Sequence, residues 1–87
     1  MTDFGNLDAR RKMLRLRSWR RGMKEMDLIM GTFADRHIAE LSGRELEDFA
    51  MLSDQPDQKL YSWISGAEAV PAEFDTPVFA RLKNMRP

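Results

Sequence analysis

Apolar residues in this 87-residue chain recur at helical spacing in five separate stretches, and nowhere alternate with polar residues long enough to make a strand. That periodicity predicts an all-α, compact five-helix bundle, a single domain over residues 1–87, with residues 1–6 and 86–87 as flexible tails. The first helix is expected over Leu7–Trp19, with Asp8 as its cap. Ala9, Met13 and Leu16 form its apolar face, which Trp19 extends. The second is expected over Gly22–Phe33, with Gly22, Met26, Ile29, Met30 and Phe33 facing the core and Gly31 weakening the last turn. Arg21, Glu25, Leu28 and Thr32 share a neighbouring stripe. The first two helices then form an antiparallel pair around a Ser18–Gly22 turn.

The rest of the chain is punctuated by helix signals. Ser42-Gly-Arg-Glu45 is a capping box, followed by Leu46, Phe49, Ala50 and Leu52. Pro56 suits the first position of a fourth helix, whose apolar face is Leu60, Tyr61, Trp63 and Ile64 and whose stop is Gly66. Thr76-Pro77 opens a fifth, with Val78, Phe79, Leu82 and Met85 inward. Residues 66–75 read as a loop held by Pro71.

Net charge is zero, yet it is unevenly distributed. Eight basic residues against one acid lie between Asp8 and Lys24; nine acids against two bases lie between Glu25 and Asp57. Either a basic face is offered to an anionic partner, or the two halves pack together and neutralise each other. The chain has no cysteine, so disulfides and thiolate metal sites are excluded. No apolar run is long enough to span a membrane. The N-terminal residues, which include Asp3 and Asp8, resemble neither a secretory signal nor a transit peptide. A bacterial cytoplasmic protein is expected, with the processed form of an organellar protein as the alternative.

Catalytic chemistry finds no foothold. His37, the one histidine, falls in an expected helix-to-helix connection and has no metal-ligand or triad spacing around it. Neither a glycine-rich phosphate loop nor a nucleophile elbow is present. The sharpest local feature is Arg21-Gly22-Met23-Lys24-Glu25, followed by Met26-Asp27. On a helix, Arg21 and Glu25 project to one side. Together they offer a partner a donor fork and an acceptor, beside a glycine that admits close backbone approach. The same two residues also fit an ordinary i, i+4 surface ion pair. Trp19 and Trp63 read as core or groove residues.

The stretch Arg17-Ser18-Trp19-Arg20-Arg21-Gly22-Met23-Lys24-Glu25-Met26-Asp27 resembles the signature of the succinate dehydrogenase assembly factor 2, or flavinator, family. Its R-G-x-x-E hallmark is matched by Arg21, Gly22 and Glu25. An apolar run, Leu28 to Phe33, follows, and then a D-x-x-L-x-x-W-like segment made of Asp57, Leu60 and Trp63 with Gly66 behind it. The resemblance covers Arg10 to Gly66 and extends to the last helix. Met26 departs from the Leu frequent in the family, one apolar residue for another.

The resemblance implies a five-helix fold and a non-enzymatic, chaperone-like binding protein. Such a protein binds the apo-flavoprotein subunit of succinate dehydrogenase, or in some bacteria that of fumarate reductase. It promotes covalent attachment of FAD to a histidine of that subunit. It further implies partner-contact roles for Arg21, Gly22 and Glu25, and for Asp27 and Arg17 as their neighbours in the signature. FAD is then handled on the partner, and the expectations are no tightly bound cofactor, no metal, no nucleic acid, no membrane insertion and a free monomer. The competing reading is a nucleic-acid-binding or toxin-neutralising module built on the basic first helix. Zero net charge and the acidic middle segment oppose it.

Overall fold

The computed structural model describes residues 7–85; the tails expected at 1–6 and 86–87 lie outside them. Five α-helices follow in order: α1 (Ala9–Ser18), α2 (Lys24–His37), α3 (Gly43–Ser53), α4 (Asp57–Ser65) and α5 (Pro77–Lys83). A single turn of 3-10 helix, Ala72–Phe74, lies between α4 and α5. No strand occurs among the described residues.

α2 runs through the centre, because its apolar residues are spread around more than one face. Met26, Ile29, Met30, Gly31, Phe33 and Ala34 are all buried. Around it pack Leu46, Phe49 and Leu52 of α3, Leu60, Trp63 and Ile64 of α4, and Val78, Phe79 and Leu82 of α5. Phe33 stacks on Phe49 with ring centroids 5.4 Å apart, joining α2 to α3. The α4–α5 connection is less open than a loop. Phe74 in its 3-10 turn is buried and stacks on Trp63 at 5.2 Å.

The helix ends follow their local chemistry. Ser42 and Glu45 close a reciprocal capping box at α3. Thr76 accepts from the Phe79 amide ahead of Pro77. Gly66 stops α4 at φ 86°, a left-handed conformation that favours glycine. Pro56 is corrected by one place. It caps α4 in extended geometry, and Asp57 is the first helical residue.

Two larger corrections concern the first two helices. α2 begins at Lys24 rather than Gly22 and continues to His37 rather than stopping at Phe33. Gly22 therefore lies outside the helix and is exposed, and His37 closes α2 instead of sitting in a connection. In α1 the expected apolar face points the wrong way. Met13 and Leu16 are 55% and 43% exposed, while Leu14 and Ser18 are buried. The Ser18 hydroxyl meets its need internally by donating to the Leu14 carbonyl at 2.7 Å.

Arginines secure α1 antiparallel to α2. Arg11 donates to the carbonyls of Ile38 (2.9 Å) and Leu41 (2.5 Å) just beyond the far end of α2. At the opposite end of α1, the Trp19 indole lies flat against Gly31, where any Cβ would overlap the ring. Gly31, expected to weaken the helix, is the recess that admits Trp19. The indole N–H donates to Asp35 Oδ1 at 3.1 Å, and Arg15 Nε donates to the same oxygen at 2.8 Å.

Candidate functional site

The R-G-x-x-E stretch begins in the turn between α1 and α2, and that turn is gripped on both sides. From α2, Asp27 Oδ1 accepts the Arg21 amide at 2.6 Å. From the start of α4, Asp57 Oδ1 accepts Arg21 Nε at 2.5 Å while its Oδ2 accepts the Met23 amide at 3.2 Å. The Arg21 guanidinium also donates to the carbonyls of Ser53 (2.7 Å) and Gln55 (2.6 Å), which close α3 and begin the link to α4. Its side chain is only 8% exposed, and that of Asp57 15%. Arg21 thus ties three elements together, and its planar fork matches a carboxylate and two carbonyls at once.

Between these anchors, Gly22 takes φ 102°, and an added Cβ there would meet nothing within 4 Å. The backbone is therefore bare and open to approach from outside, in a conformation that L side chains adopt at a cost. One residue into α2, Glu25 is exposed and makes no ion pair among the described residues. With Asp27 it places negative charge in the first turn, where the helix dipole favours it.

The expectation that Arg21 and Glu25 share a helical face is therefore corrected, and so is the alternative of an i, i+4 pair. Arg21 precedes α2 and pairs with Asp57 instead. Arg17, on α1, reaches Asp54 at 3.3 Å with both side chains more than half exposed. His37 stands apart, with Nδ1 2.9 Å from Glu40 and 3.0 Å from Arg81. The described residues contain no group of three or more potential metal ligands.

The charge asymmetry resolves largely by internal pairing. Arg10 meets Glu47, Arg15 meets Asp35, Arg17 meets Asp54 and Arg21 meets Asp57, each joining the basic segment to the acidic one. No helix among the described residues is long and apolar enough to cross a membrane.

Asp57 holds the turn from the start of α4, a contribution that is not visible in the sequence. It had stood as a landmark 36 residues from Arg21. The one available signal was physical: an arginine taken out of water needs a carboxylate close by.

A family described as the flavinator of succinate dehydrogenase matches residues 12–86. The chain is 38% identical over 82 residues to a mitochondrial succinate dehydrogenase assembly factor 2 of Dictyostelium discoideum, covering 94% of this chain and 58% of that protein. It is 34% identical over 77 residues to the FAD assembly factor SdhE of Acetobacter pasteurianus, covering 88% and 71% respectively. A mitochondrial succinate dehydrogenase assembly factor 2-A of Drosophila yakuba is 32% identical over 79 residues, covering 88% of this chain and 49% of the relative. The chain thus spans about half to seven-tenths of the length of these relatives. No solved structure matches it.

Proposed function

The chain belongs to the flavinator of succinate dehydrogenase family, and from that membership we propose that it is a non-enzymatic assembly factor. It binds the apo-flavoprotein subunit of succinate dehydrogenase and promotes covalent attachment of FAD to a histidine of that subunit. The flavoprotein of fumarate reductase is a second partner of the same kind. The free protein acts as a monomer, in a bacterial cytoplasm or, as a processed organellar form, in the mitochondrial matrix.

The observation that carries this reading is the α1–α2 turn: a bare, exposed Gly22 next to an exposed Glu25, on a backbone held by Arg21, Asp27 and Asp57. Pinning the turn before the partner arrives lowers the ordering cost of association. Glu25 and Gly22 make the contact. Arg21 and Asp27 shape it from behind, and Arg17 flanks it. Bond formation between flavin and histidine belongs to the cofactor and the partner. The assembly factor contributes a preference for the partner conformer in which the two are aligned, and it shifts the population only by that preference.

The test uses cells lacking their own factor, complemented with Glu25→Ala or Gly22→Arg, with covalent flavin read by fluorescence of the denatured flavoprotein. Both variants should leave the flavoprotein poorly flavinylated. Gly22→Arg also carries backbone strain of about 1–3 kcal/mol, so the Glu25→Ala arm, with its folding verified by circular dichroism, decides. Normal covalent flavin with both variants ends the reading.

A further inference from the structure

We propose that the outward face of α1 is a docking groove for an acidic segment of the flavoprotein subunit that also carries an apolar side chain. The inference rests on the function proposed above and extends its contact surface from the α1–α2 turn along the helix. Ala9, Met13 and Leu16 follow one another at helical spacing on the solvent side of α1, and exposed Arg20 lies just beyond its end. Met13 and Leu16 are two of the four large apolar side chains that the described residues leave exposed. With Arg17, Arg20 and Arg21 they line a concavity of about 390 Å³.

This face is the consequence of how the rest of α1 is used. Arg10, Arg11, Arg15, Arg17 and Arg21 all pair with carboxylates of the same molecule. Leu14, Ser18 and Trp19 face the bundle, so the apolar residues on the other side of the helix, Met13 and Leu16, are left outside. A ten-residue helix in such a small bundle gains nothing in the free state from showing Met13 and Leu16 to water.

Charge complementarity selects the occupant. Arg20 has no ion-pair partner among the described residues, and the Arg17–Asp54 pair is long and exposed, so a better-placed carboxylate displaces it. Two guanidinium groups above an apolar floor match carboxylates flanking an aliphatic or aromatic side chain. A nucleic acid would need a row of unpaired cations, and five of the eight basic residues between Asp8 and Lys24 are already paired.

The experiment measures the affinity of the purified full chain for purified apo-flavoprotein by titration calorimetry. It compares wild type, Met13→Gln/Leu16→Gln and Arg20→Glu. Both sites are exposed and glutamine keeps helix propensity, so thermal melts should stay near wild type. The double variant should bind about 10- to 100-fold more weakly. Arg20→Glu should bind more weakly at low salt and lose much of the salt dependence of the affinity. Unchanged affinity in the double variant, with Glu25→Ala still weakening binding, overturns the groove and leaves the proposed function standing. No binding by the wild type overturns both. Wild-type binding to anionic phospholipid vesicles that the double variant loses overturns the groove in favour of a lipid surface.

Discussion

Arg21 is the residue whose surroundings hold the α1–α2 turn in place. Its guanidinium has a carboxylate and two carbonyls as partners and almost no contact with solvent. Replacing Asp57 by Ala leaves that cation buried without its counter-charge, which should cost about 3 kcal/mol. Urea unfolding of Asp57→Ala should show it as a lowered midpoint at unchanged slope. A midpoint within error of wild type would mean that the cation finds water and the clamp is not formed in solution. Gly31 makes a second residue-scale prediction. On helix propensity alone, Gly31→Ala should stabilise by about 1 kcal/mol. The Trp19 ring occupies the space the new methyl needs, however, and overpacking of that kind costs about 1–3 kcal/mol. Displacement should win, giving a net loss of stability and a shift in tryptophan emission as Trp19 moves out. At this scale Arg21, Gly22 and Glu25 stood out in the sequence as a compact polar stretch beside a bare glycine. The burial of Arg21 did not, because it depends on Asp57, which only folding brings near.

The capping box at α3 gives the corresponding prediction for an element. Ser42 accepts the Glu45 amide at 3.2 Å while the Glu45 carboxylate accepts the Ser42 amide at 2.8 Å. Ser42→Ala removes one half and should lower stability by about 1 kcal/mol, measured by thermal melting. Signals of this sort act within four or five residues. That is why Ser42, Gly66 and Thr76-Pro77 fixed helix ends from sequence, and why Pro56 was misplaced by only one position. The start of α2 was misread because Gly22 and Met26 are at helical spacing whether or not the intervening backbone is helical. The sense of α1 was misread for a different reason. Periodicity locates an apolar stripe but not which side of the helix is covered. Here Leu14, Ser18 and Trp19, with its seat on Gly31, take the covered side, and Met13 and Leu16 are left on the other. The turn around Phe74 left no periodic trace, since three residues are too few to show one.

Across the whole molecule, ion pairs do much of the joining between elements, and this gives the bundle an acid-sensitive stability. Four carboxylates lie below their usual range. Asp8 is lowered mainly by the Arg11 amide, Glu40 by Arg81, Glu45 by the Ser42 amide and Glu47 by Arg10. These contacts bind the start of α1, the α2–α3 link to α5, the cap of α3, and α1 to α3. Because each group holds its proton less tightly when folded, the unfolded chain takes up more protons in acid. The stabilisation is therefore fully present above the ordinary carboxylate range and disappears as pH falls through the lowered folded values. All four groups are at the surface, so each contributes little and the sum is screened by salt. The melting temperature should be level from about pH 7 down to about pH 5 and then fall towards about pH 3. The fall should be shallower in Glu47→Gln, which no longer has that proton to gain, and shallower again when salt is added to wild type. Equal melting temperatures at about pH 3 and about pH 7 would show that these pairs do not persist in solution. The joining of α1 to the bundle would then rest on Leu14, on Trp19 against Gly31, on the Arg11 bonds to the Ile38 and Leu41 carbonyls, and on the contacts of Arg15, Arg17 and Arg21 with Asp35, Asp54 and Asp57.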